Sequence, residues 1–434
     1  MLTKVAWPIR KLCDLVDIRV SNVDKKVQAN EKPIKLCNYM DVYLNEYISS
    51  RIQYTEGSAS ISEIERFGLH CGDVIITKDS ETPDDIGIPT VVVEAIPDLV
   101  CGYHLALIRP TSEQLDPIYL AKQLSSSYVA RYFAAHASGS TRYGLPKSAI
   151  ESIEVPIPPK PEQTKIAEIL STVDWAIEQT EALIAKQQRI KTGLMHDLLT
   201  RGIDEHGNLR SEETHQFKDS SLGRIPVEWG VKTIGEVFQI QLGKMLSKKA
   251  TEGRSPYFYL GNRNVQWDYV DISELQVMDF DDRERRKFNL VVGDILVCEG
   301  GEAGRTCLWR GEVENCYYQK AIHRLRPIRQ QYVSGLFPRF MRWAVRVGLL
   351  SDFTSQTSIA HLTQEKLSAV PITIPNLPEQ FRLNGVMNRV DDGLRNLANQ
   401  LSKLVALKTA LMQDLLTGKV RVTPLLDSTE VMSE

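Results

Sequence analysis

A ten-residue segment from Ser138 to Lys147 concentrates side chains that can bind phosphate groups. It reads Ser-Gly-Ser-Thr-Arg-Tyr-Gly-Leu-Pro-Lys, so hydroxyls, a phenol, a guanidinium and an ammonium group share one predicted loop. Such groups, together with backbone amides, are the usual donors to the oxygens of a DNA backbone. A plain connecting loop is the alternative. The residues of this loop that we predict to contact DNA are Ser140, Thr141, Arg142, Tyr143 and Lys147.

A second group of candidate DNA contacts lies in the carboxyl-terminal half. The glycine-rich stretch from Gly300 to Thr306 allows close approach of the backbone and carries Arg305. Polar residues follow on the next predicted strand, namely Gln319, Lys320 and His323. Arginine and glutamine make paired hydrogen bonds to guanine and adenine edges, so these residues are candidates for reading bases. Ordinary surface polarity is the alternative. The remaining predicted contacts are Lys78, Lys244 and Arg263.

The sequence lacks the usual signatures of catalysis. It has no Gly-x-x-x-x-Gly-Lys phosphate loop, no Gly-x-Gly-x-x-Gly after a predicted strand, and no Asn-Pro-Pro-aromatic motif of amino-methyltransferases. His104 and His323 lie beside apolar residues, which is typical of structural histidines. The pairs Asp84-Asp85 and Asp281-Asp282 are typical of solvated loops rather than of metal ligands. We therefore predict no catalytic residue and no metal site.

The composition is that of a globular protein with two or three domains. Hydrophobic residues make up 42% and charged residues 25% of the 434 residues. We find no apolar run long enough to cross a membrane and no signal segment, so we predict no membrane contact and a cytoplasmic location. The seven cysteines form no Cys-x-x-Cys and are predicted to be reduced and mostly buried. The net charge of −3 lacks the basic excess of a lone nucleic-acid binder.

The sequence contains an internal repeat. Leu194–Thr200 reads Leu-Met-His-Asp-Leu-Leu-Thr, and Leu411–Thr417 reads Leu-Met-Gln-Asp-Leu-Leu-Thr, at an offset of 217 residues. At the same offset, 15 of the 43 residues at 158–200 are identical to their counterparts at 375–417. Because this identity is far above chance, we infer that the protein consists of two copies of one half.

Each copy of the repeat predicts a long helix. Apolar residues recur at spacings of mostly three and four from Ile166 to Leu198, and again from Leu383 to Leu415. Each helix would have about 38 residues and a length of roughly 55 Å. Another long helix is the best partner for such a stripe, so we predict antiparallel packing that places Val422 near Met1. The alternative is an ordinary amphipathic helix on a domain surface.

A segment with matching landmarks precedes each long helix. Gly72–Ile76 and Gly293–Val297 predict a turn that leads into a strand. Helices are predicted from Asp116 to Ala135 and from Tyr332 to Leu350. Each half is therefore predicted to be an α+β globule followed by a long helix.

The two halves share a frame but diverge within it. They no longer resemble each other between Met40 and Arg66 or between Lys244 and Arg286. The polar stretch at 203–222 is predicted to link them. The predicted division is 1–157 for the first globule, 158–202 for the first long helix, 203–222 for the linker, 223–374 for the second globule, 375–420 for the second long helix and 421–434 for a tail.

Several local motifs resemble one protein family. They are Ser-Leu-Gly-Arg-Ile-Pro-Val-Glu-Trp at 221–229, Gly-Ser-Thr-Arg at 139–142, Val-Pro-Ile-Pro-Pro at 155–159 and Glu-Gln at 162–163. With two divergent globules and the repeated helices, the chain resembles the specificity subunit of a type I restriction-modification enzyme over nearly its whole length. The resemblance implies an α+β fold in which two similar globular α/β target recognition domains are separated by two long antiparallel coiled-coil helices, with pseudo-two-fold symmetry.

The resemblance also implies a function. Each target recognition domain would read one part of a split, asymmetric site in double-stranded DNA. The paired helices would fix the spacer and dock two methyltransferase subunits, which methylate adenine N6, and through them up to two restriction (motor-nuclease) subunits. S-adenosylmethionine, Mg²⁺ and ATP are then expected on the partner subunits, whereas this chain is expected to bind no cofactor and to be non-catalytic.

Two other functions fit parts of the sequence. A free-standing sequence-specific DNA-binding protein would need no enzyme partner, but the net charge of −3 disfavours tight binding by the chain alone. A coiled-coil scaffold without a nucleic-acid role would leave unexplained why the globules diverge while the helices stay alike.

Overall fold

The computed structural model describes residues 7–353 and 361–426, except for the side chains of Lys249 and Thr251. The chain forms two compact units. Unit 1 comprises Met1–Ala182 and Asn399–Glu434, and unit 2 comprises Leu183–Ala398. Each unit contains sheets, short helices and one part of each long helix, so the predicted α+β class is confirmed.

Unit 1 holds the elements of the first globule. Its strands are β1 (Ile9–Lys11), β2 (Val16–Val20), β3 (Lys32–Cys37), β4 (Tyr47–Ile48), β5 (Thr55–Ala59), β6 (Val74–Thr77), β7 (Asp79–Ser80), β8 (Pro89–Val92), β9 (Leu99–Cys101), β10 (Leu105–Pro110), β11 (Tyr143–Gly144) and β12 (Glu154–Pro156). Its helices are α1 (Tyr39–Leu44), α2 (Ile61–Phe67), α3 (Pro117–Leu124), α4 (Ser127–His136), α5 (Lys147–Ser152) and the first part of α6 (Lys160–Thr200).

A five-stranded sheet of order β2-β10-β6-β8-β4 separates two hydrophobic cores in unit 1. Along β6 the side chains alternate between them, because Val74 and Ile76 pack into the core beneath α3 and α4, whereas Ile75 packs into the core of the three-stranded sheet β5-β3-β9. A strand that is buried on both faces needs a continuous apolar run. This explains the Val-Ile-Ile sequence that follows Gly72 and Asp73.

Unit 2 repeats this plan with different details. Its strands are β13 (Phe217–Ser220), β14 (Gly223–Pro226), β15 (Gly230–Thr233), β16 (Phe238–Leu242), β17 (Pro256–Leu260), β18 (Gln276–Asp279), β19 (Ile295–Cys298), β20 (Thr306–Leu308), β21 (Tyr317–Tyr318), β22 (Ile322–Pro327) and β23 (Pro371–Ile374). Its helices are α7 (Ile234–Val237), α8 (Asp282–Phe288), α9 (Phe337–Arg346), α10 (Gln364–Ala369) and the first part of α11 (Leu377–Leu415).

The central sheet of unit 2, of order β16-β22-β19-β20, again divides two cores. On β19, Ile295 and Val297 face one core while Leu296 and Cys298 face the other. The same bidentate ion pair braces the central strands of both units. Arg109 binds Asp73 in unit 1, and its counterpart in unit 2 is Arg326 on Asp294.

The long helices run antiparallel where they meet in each unit. In unit 1 the start of α6, at Ile166 and Leu170, packs against Leu415 and Leu416 at the end of α11. In unit 2 the opposite ends meet. Residues of the end of α6 and of the start of α11 share one core there, namely Met195, Leu198, Leu199, Leu383 and Met387. The predicted antiparallel pairing of two long helices is thus confirmed, and the paired leucines of each repeated Leu-Leu-Thr block are buried at the end of a long helix.

The segment after α11 returns to the first residues described. Trp7 lies in one hydrophobic cluster with Leu416 and Val422. Gly418 adopts a φ of 70°, and a Cβ on it would lie 3.1 Å from the Trp7 ring. The predicted approach of Val422 to the amino-terminal region is therefore confirmed at Trp7, whereas Met1 itself lies outside the described residues.

Three predicted elements differ in the structure. The helix predicted from Tyr332 to Leu350 is observed as the shorter α9, Phe337–Arg346. The helix predicted from Asp116 to Ala135 is split into α3 and α4, because Ser126 is extended and its hydroxyl caps α4 by accepting from the Val129 amide. The segment 203–222, predicted as a linker, is an ordered part of unit 2. It contains β13, which pairs with β14, and it buries the Arg210 side chain.

The seven cysteines, all of which lie in described segments, are free, and five of them are buried. Burial raises the pKa of the Cys298 thiol to about 11. A thiol with so high a pKa is protonated at neutral pH and is chemically inert. The prediction of reduced and mostly buried cysteines is confirmed.

Candidate nucleic-acid interface

The predicted DNA-binding loop of unit 1 folds back on itself beside Lys78, with Ser138 paired to Gly144. Tyr143 and Gly144 pair with Ser80 and Asp79, and the Leu145 amide donates to the Lys78 carbonyl at 2.8 Å. Three predicted contacts at the tip are exposed, namely Ser140, Thr141 and Arg142. The structure therefore brings Lys78 and the loop together on one surface of unit 1.

Gly139 shapes the tip of this loop. Its φ is 147°, and a Cβ on it would lie 2.0 Å from the Arg142 carbonyl oxygen. Every other residue type carries a Cβ, so glycine is required for this fold of the loop. Lys147, just beyond the loop, is exposed and forms an ion pair with Glu151 one helical turn away, at 3.3 Å.

Asp79 organises the cations at the base of the loop. Its carboxylate accepts from the Lys78 amino group at 3.2 Å and binds the His104 Nδ1 at 2.6 Å. Burial raises the pKa of the Asp79 carboxyl, but the hydrogen bonds from His104 and Lys78 outweigh burial and hold the pKa below its ordinary value. The carboxylate thus partly neutralises Lys78, whereas Arg142 at the tip of the loop is exposed.

Sequence reasoning missed the aromatic side chains of this surface. Tyr103 is 50% exposed and its ring lies 3.9 Å from that of His104, which has a φ of 73°. Tyr39 and Tyr43 stack at 5.6 Å on α1, and burial together with the charge of Asp85 raises the pKa of the Tyr39 phenol, while the charge of Arg142 opposes this shift. The spacing of four between Tyr39 and Tyr43 is a helical signal that the sequence already contained.

In unit 2 the structure places two of the predicted cations in structural roles. The Lys244 amino group donates to the Asp279 carbonyl and to Glu284, and it lies 5.0 Å from the Phe280 ring centre. The Arg305 guanidinium donates to the Asn262 carbonyl at 2.8 Å. Both side chains are at most 15% exposed, so they brace the loops around them.

Other predicted residues of unit 2 remain accessible. Arg263 is more than half exposed and forms an ion pair with Glu274 at 3.0 Å. Lys320 is exposed, and Gln319 is partly buried. A Cβ on Gly261 would lie 2.9 Å from the Gln319 amide nitrogen, so this glycine leaves room for the Gln319 side chain.

The structure does not place His323 where it could contact DNA directly, which corrects the prediction from the sequence. The residue is fully buried, and its Nε2 donates to the Leu362 carbonyl at 2.9 Å. Burial lowers the pKa of the imidazole, so the ring is held neutral inside unit 2. Its role is to tie β22 to the segment after residue 361. The segment 355–361, which aligns with the unit 1 loop at the offset of 217, lies outside the described residues except for His361.

The repeated Glu-Gln pair anchors each long helix. Gln163 accepts from the Asp116 amide and donates to Gln114, and Gln380 makes the equivalent bonds to the Val333 amide and the Gln331 carbonyl. The preceding glutamates bind arginines that follow the end of the other long helix. These pairs are Glu162 with Arg421 in unit 1 and Glu379 with Arg210 in unit 2.

Comparison with known proteins identifies the family. The sequence matches the type I restriction modification DNA specificity domain twice, over residues 4–187 and 226–405. The chain belongs to the family of type I restriction-modification specificity subunits. Both matches begin within a few residues of a tryptophan, Trp7 or Trp229, and end within a long helix, as expected for an internal duplication.

Relatives of this family cover nearly the whole chain. The putative type I restriction enzyme MjaX specificity subunit of Methanocaldococcus jannaschii is 22% identical over 437 residues, which is 96% of this chain and 94% of the relative. The MjaVIII specificity subunit of the same organism is 26% identical over 322 residues, 71% of each chain. The fold is similar to the crystal structure of the S subunit from M. genitalium, with a TM-score of 0.56, 16% identity and coverage of 95% and 96%.

The described residues show neither a metal-binding group nor a membrane-spanning helix. They contain no group of three or more histidine, cysteine or acidic residues arranged to hold a metal ion. Within them, no helix has both the length and the apolar character needed to cross a membrane.

Proposed function

We propose that the chain recognises a bipartite, asymmetric DNA site for a type I restriction-modification complex. The observation that carries this proposal is that each unit combines one divergent globule with repeated helix ends. Different globules would read different half-sites, while a shared frame would serve identical partners. The accessible predicted contacts, led by Arg142, Arg263 and Lys320, support reading by each globule.

In this proposal the helices dock two methyltransferase subunits and set the spacer between half-sites. The helices expose apolar residues that partner subunits could cover. Those on α6 are Trp175, Leu183 and Ile190, and those on α11 are Leu377, Phe381, Val405 and Leu407. The partners would bind S-adenosylmethionine and methylate adenine N6, and restriction subunits, where present, would bind Mg²⁺ and ATP.

Changing the length of the helices tests the proposal. We would insert one helical turn between Gln179 and Lys191, with a matching insertion in α11 between Asp392 and Lys403. Methylation mapping of cells that carry the complex should then report unchanged half-sites separated by a different number of base pairs. An insertion of the same length in the exposed turn at Glu205 is the control. An unchanged spacer in the helix variant, with methylation still present, would refute the proposal that helix length sets the spacer.

A further inference from the structure

A compact ionic cluster joins the globule of unit 1 to both long helices. Asp174 of α6 forms an ion pair with Lys408 of α11 at 2.8 Å and accepts a hydrogen bond from Lys122 of α3. Glu46, between α1 and β4, binds both lysines. Tyr47 completes the cluster by donating its hydroxyl to Asp174 at 2.7 Å.

Unit 2 contains a cluster of the same design. Asp391 of α11 binds Lys191 of α6 and Arg339 of α9, each at 2.7 Å. Asp268, between β17 and β18, lies 3.6 Å from Lys191 and 3.1 Å from Arg342. In each unit, therefore, a carboxylate and a lysine from the two long helices meet a cation and an acid from the globule.

The repeat relates three members of the two clusters. The offset of 217 residues pairs Asp174 with Asp391, Lys191 with Lys408, and Lys122 with Arg339. Two members do not follow the repeat, namely Arg342, whose counterpart at the same offset is Ser125, and the acid supplied by the globule. In unit 1 this acid is Glu46 and in unit 2 it is Asp268, and both acids lie in the segments where the halves diverge.

The environment of the clusters makes their geometry demanding. The side chains of Asp174 and Lys122 are only 6% and 5% exposed. Burial raises the pKa of Asp174, but Lys122, Lys408 and Tyr47 outweigh burial and hold the pKa below its ordinary value. A buried charge is tolerated when its partners are correctly placed, whereas an apolar contact can slide at little cost. The buried pair of unit 1 therefore favours one orientation of its globule on the helices. The acids from the divergent segments lie at the edges of the clusters, with Glu46 47% and Asp268 45% exposed.

We propose that Glu46 and Asp268 are positioning residues that couple the divergent, DNA-reading segment of each globule to the helix pair. Each divergent segment supplies its own acid, which binds basic side chains of the cluster formed by repeat-related residues. The acid would then fix the angle at which that globule meets DNA, and with it the tolerance of the complex for spacer length. This inference rests on the proposed function.

The test uses the full chain assembled with its methyltransferase subunits. Affinities would be measured for duplexes that carry both half-sites at the native spacer or at one base pair more or less, and for a duplex with the first half-site alone. For Glu46→Gln we expect discrimination between native and altered spacers to fall about fivefold, the size of a typical coupling between contacting residues. Affinity for the single half-site should stay unchanged, and Glu46→Asp should restore part of the discrimination.

Glu178→Gln is the matched control, because Glu178 also joins a helix to the globule but its 3.6 Å pair with Arg51 is exposed. Asp268→Asn is the second variant and should act in the same way with the second half-site alone as its reference. Wild-type spacer profiles for both Glu46→Gln and Asp268→Asn would overturn the inference and leave the proposed function intact. An equal loss of affinity for every duplex would also overturn the inference and leave the proposed function intact. If the wild-type complex shows no preference for any spacer, the proposed function itself fails.

Discussion

At the scale of single residues, exposure separates the side chains that can reach DNA from those that hold the loops. Arg142 is exposed at the tip of its loop, whereas Lys244 and Arg305 are bound to carbonyl and carboxylate oxygens of their own unit. A cation already paired in the fold contributes less to phosphate binding than a free one, because binding would break its internal bonds. We therefore expect Arg142 to matter most among these three.

Replacement of Arg142 should weaken DNA binding without affecting stability. For Arg142→Ala we expect a loss of about tenfold in affinity, as for one arginine contact to a phosphate or a base. The affinity should be measured for the complex at two salt concentrations, with Arg10→Ala as the control, since Arg10 is exposed on β1 of the same unit. A reduced salt dependence would assign the contact to a phosphate. Equal effects of the two substitutions would contradict this role.

His323 gives the opposite prediction. His323→Ala removes a buried ring and its hydrogen bond to the Leu362 carbonyl, so the free energy of unfolding should fall by about 2–3 kcal/mol. Urea denaturation measures this loss, and DNA affinity below the unfolding transition should equal that of the wild type. A variant of normal stability with impaired DNA binding would contradict a purely structural role for His323.

At the scale of elements, the first turn of each long helix is fastened by a glutamate–arginine pair. Glu379 is completely buried, and it also accepts from the Trp229 indole at 3.1 Å. Glu162 is buried as well, but its partner Arg421 is 35% exposed, compared with 7% for Arg210. Water can therefore solvate the Arg421 guanidinium when its glutamate partner is removed, whereas the Arg210 guanidinium would be left unpaired inside unit 2.

Removal of the two glutamate–arginine pairs should lower the free energy of unfolding by different amounts. We expect Glu379→Gln to lower the free energy of unfolding by about 3 kcal/mol, as when one partner of a buried ion pair is removed. The cost of Glu162→Gln should be smaller. Chemical denaturation of the two variants, compared with Asp392→Asn in an exposed pair with Arg395, provides the measurement. A larger effect of Glu162→Gln would contradict the role assigned to burial.

The ionic clusters predict a dependence of stability on pH. The folded-state pKa of both Asp174 and Asp391 lies below the ordinary value, so their ionised forms stabilise the fold at every pH above about 4. This contribution is lost as the pH falls through the folded pKa. The difference in Tm between the wild type and Asp174→Asn should therefore be constant from neutral pH to about 5 and shrink below about 4. A difference that grows on acidification would contradict the assignment, and Asp219→Asn, at an exposed site, is the control.

The long helices and the central strands could be predicted from the sequence because their patterns are local. Spacings of three and four mark α6 and α11, and the apolar run at β6 marks a strand buried on both faces. The ionic clusters could not be predicted in this way, because Glu46, Lys122, Asp174 and Lys408 meet only in the folded unit. One signal was present, since Asp174 and Lys191 are polar residues that recur unchanged in the repeat.

The interface shows the same limit. The sequence indicates which residues have the chemistry to bind DNA, but exposure depends on contacts between distant segments. Lys244 meets Glu284, Arg305 meets the Asn262 carbonyl, and His323 meets that of Leu362. Each of these contacts joins residues separated by about 40 positions, beyond the reach of any periodicity.

At the scale of the whole molecule, the chain joins two divergent globules through one repeated frame. Exchange of residues 1–155 for the matching part of another family member should change one half-site and leave the other and the spacer unchanged. Methylation mapping of the hybrid complex provides the measurement. The donor segment should supply an acid where this chain has Glu46, and the hybrid in which that donor acid is replaced by its amide is the informative companion. A change in both half-sites would contradict independent reading.

The division of the chain into units also has a consequence for folding during synthesis. Unit 2 is one continuous stretch, Leu183–Ala398, so its core can close as soon as that stretch has left the ribosome. Unit 1 is split, and the cluster around Ile166 and Leu170 is completed only by Leu416 and Val422. The half of the protein that is made first is therefore finished last, and it keeps an open apolar seam throughout translation of the second half.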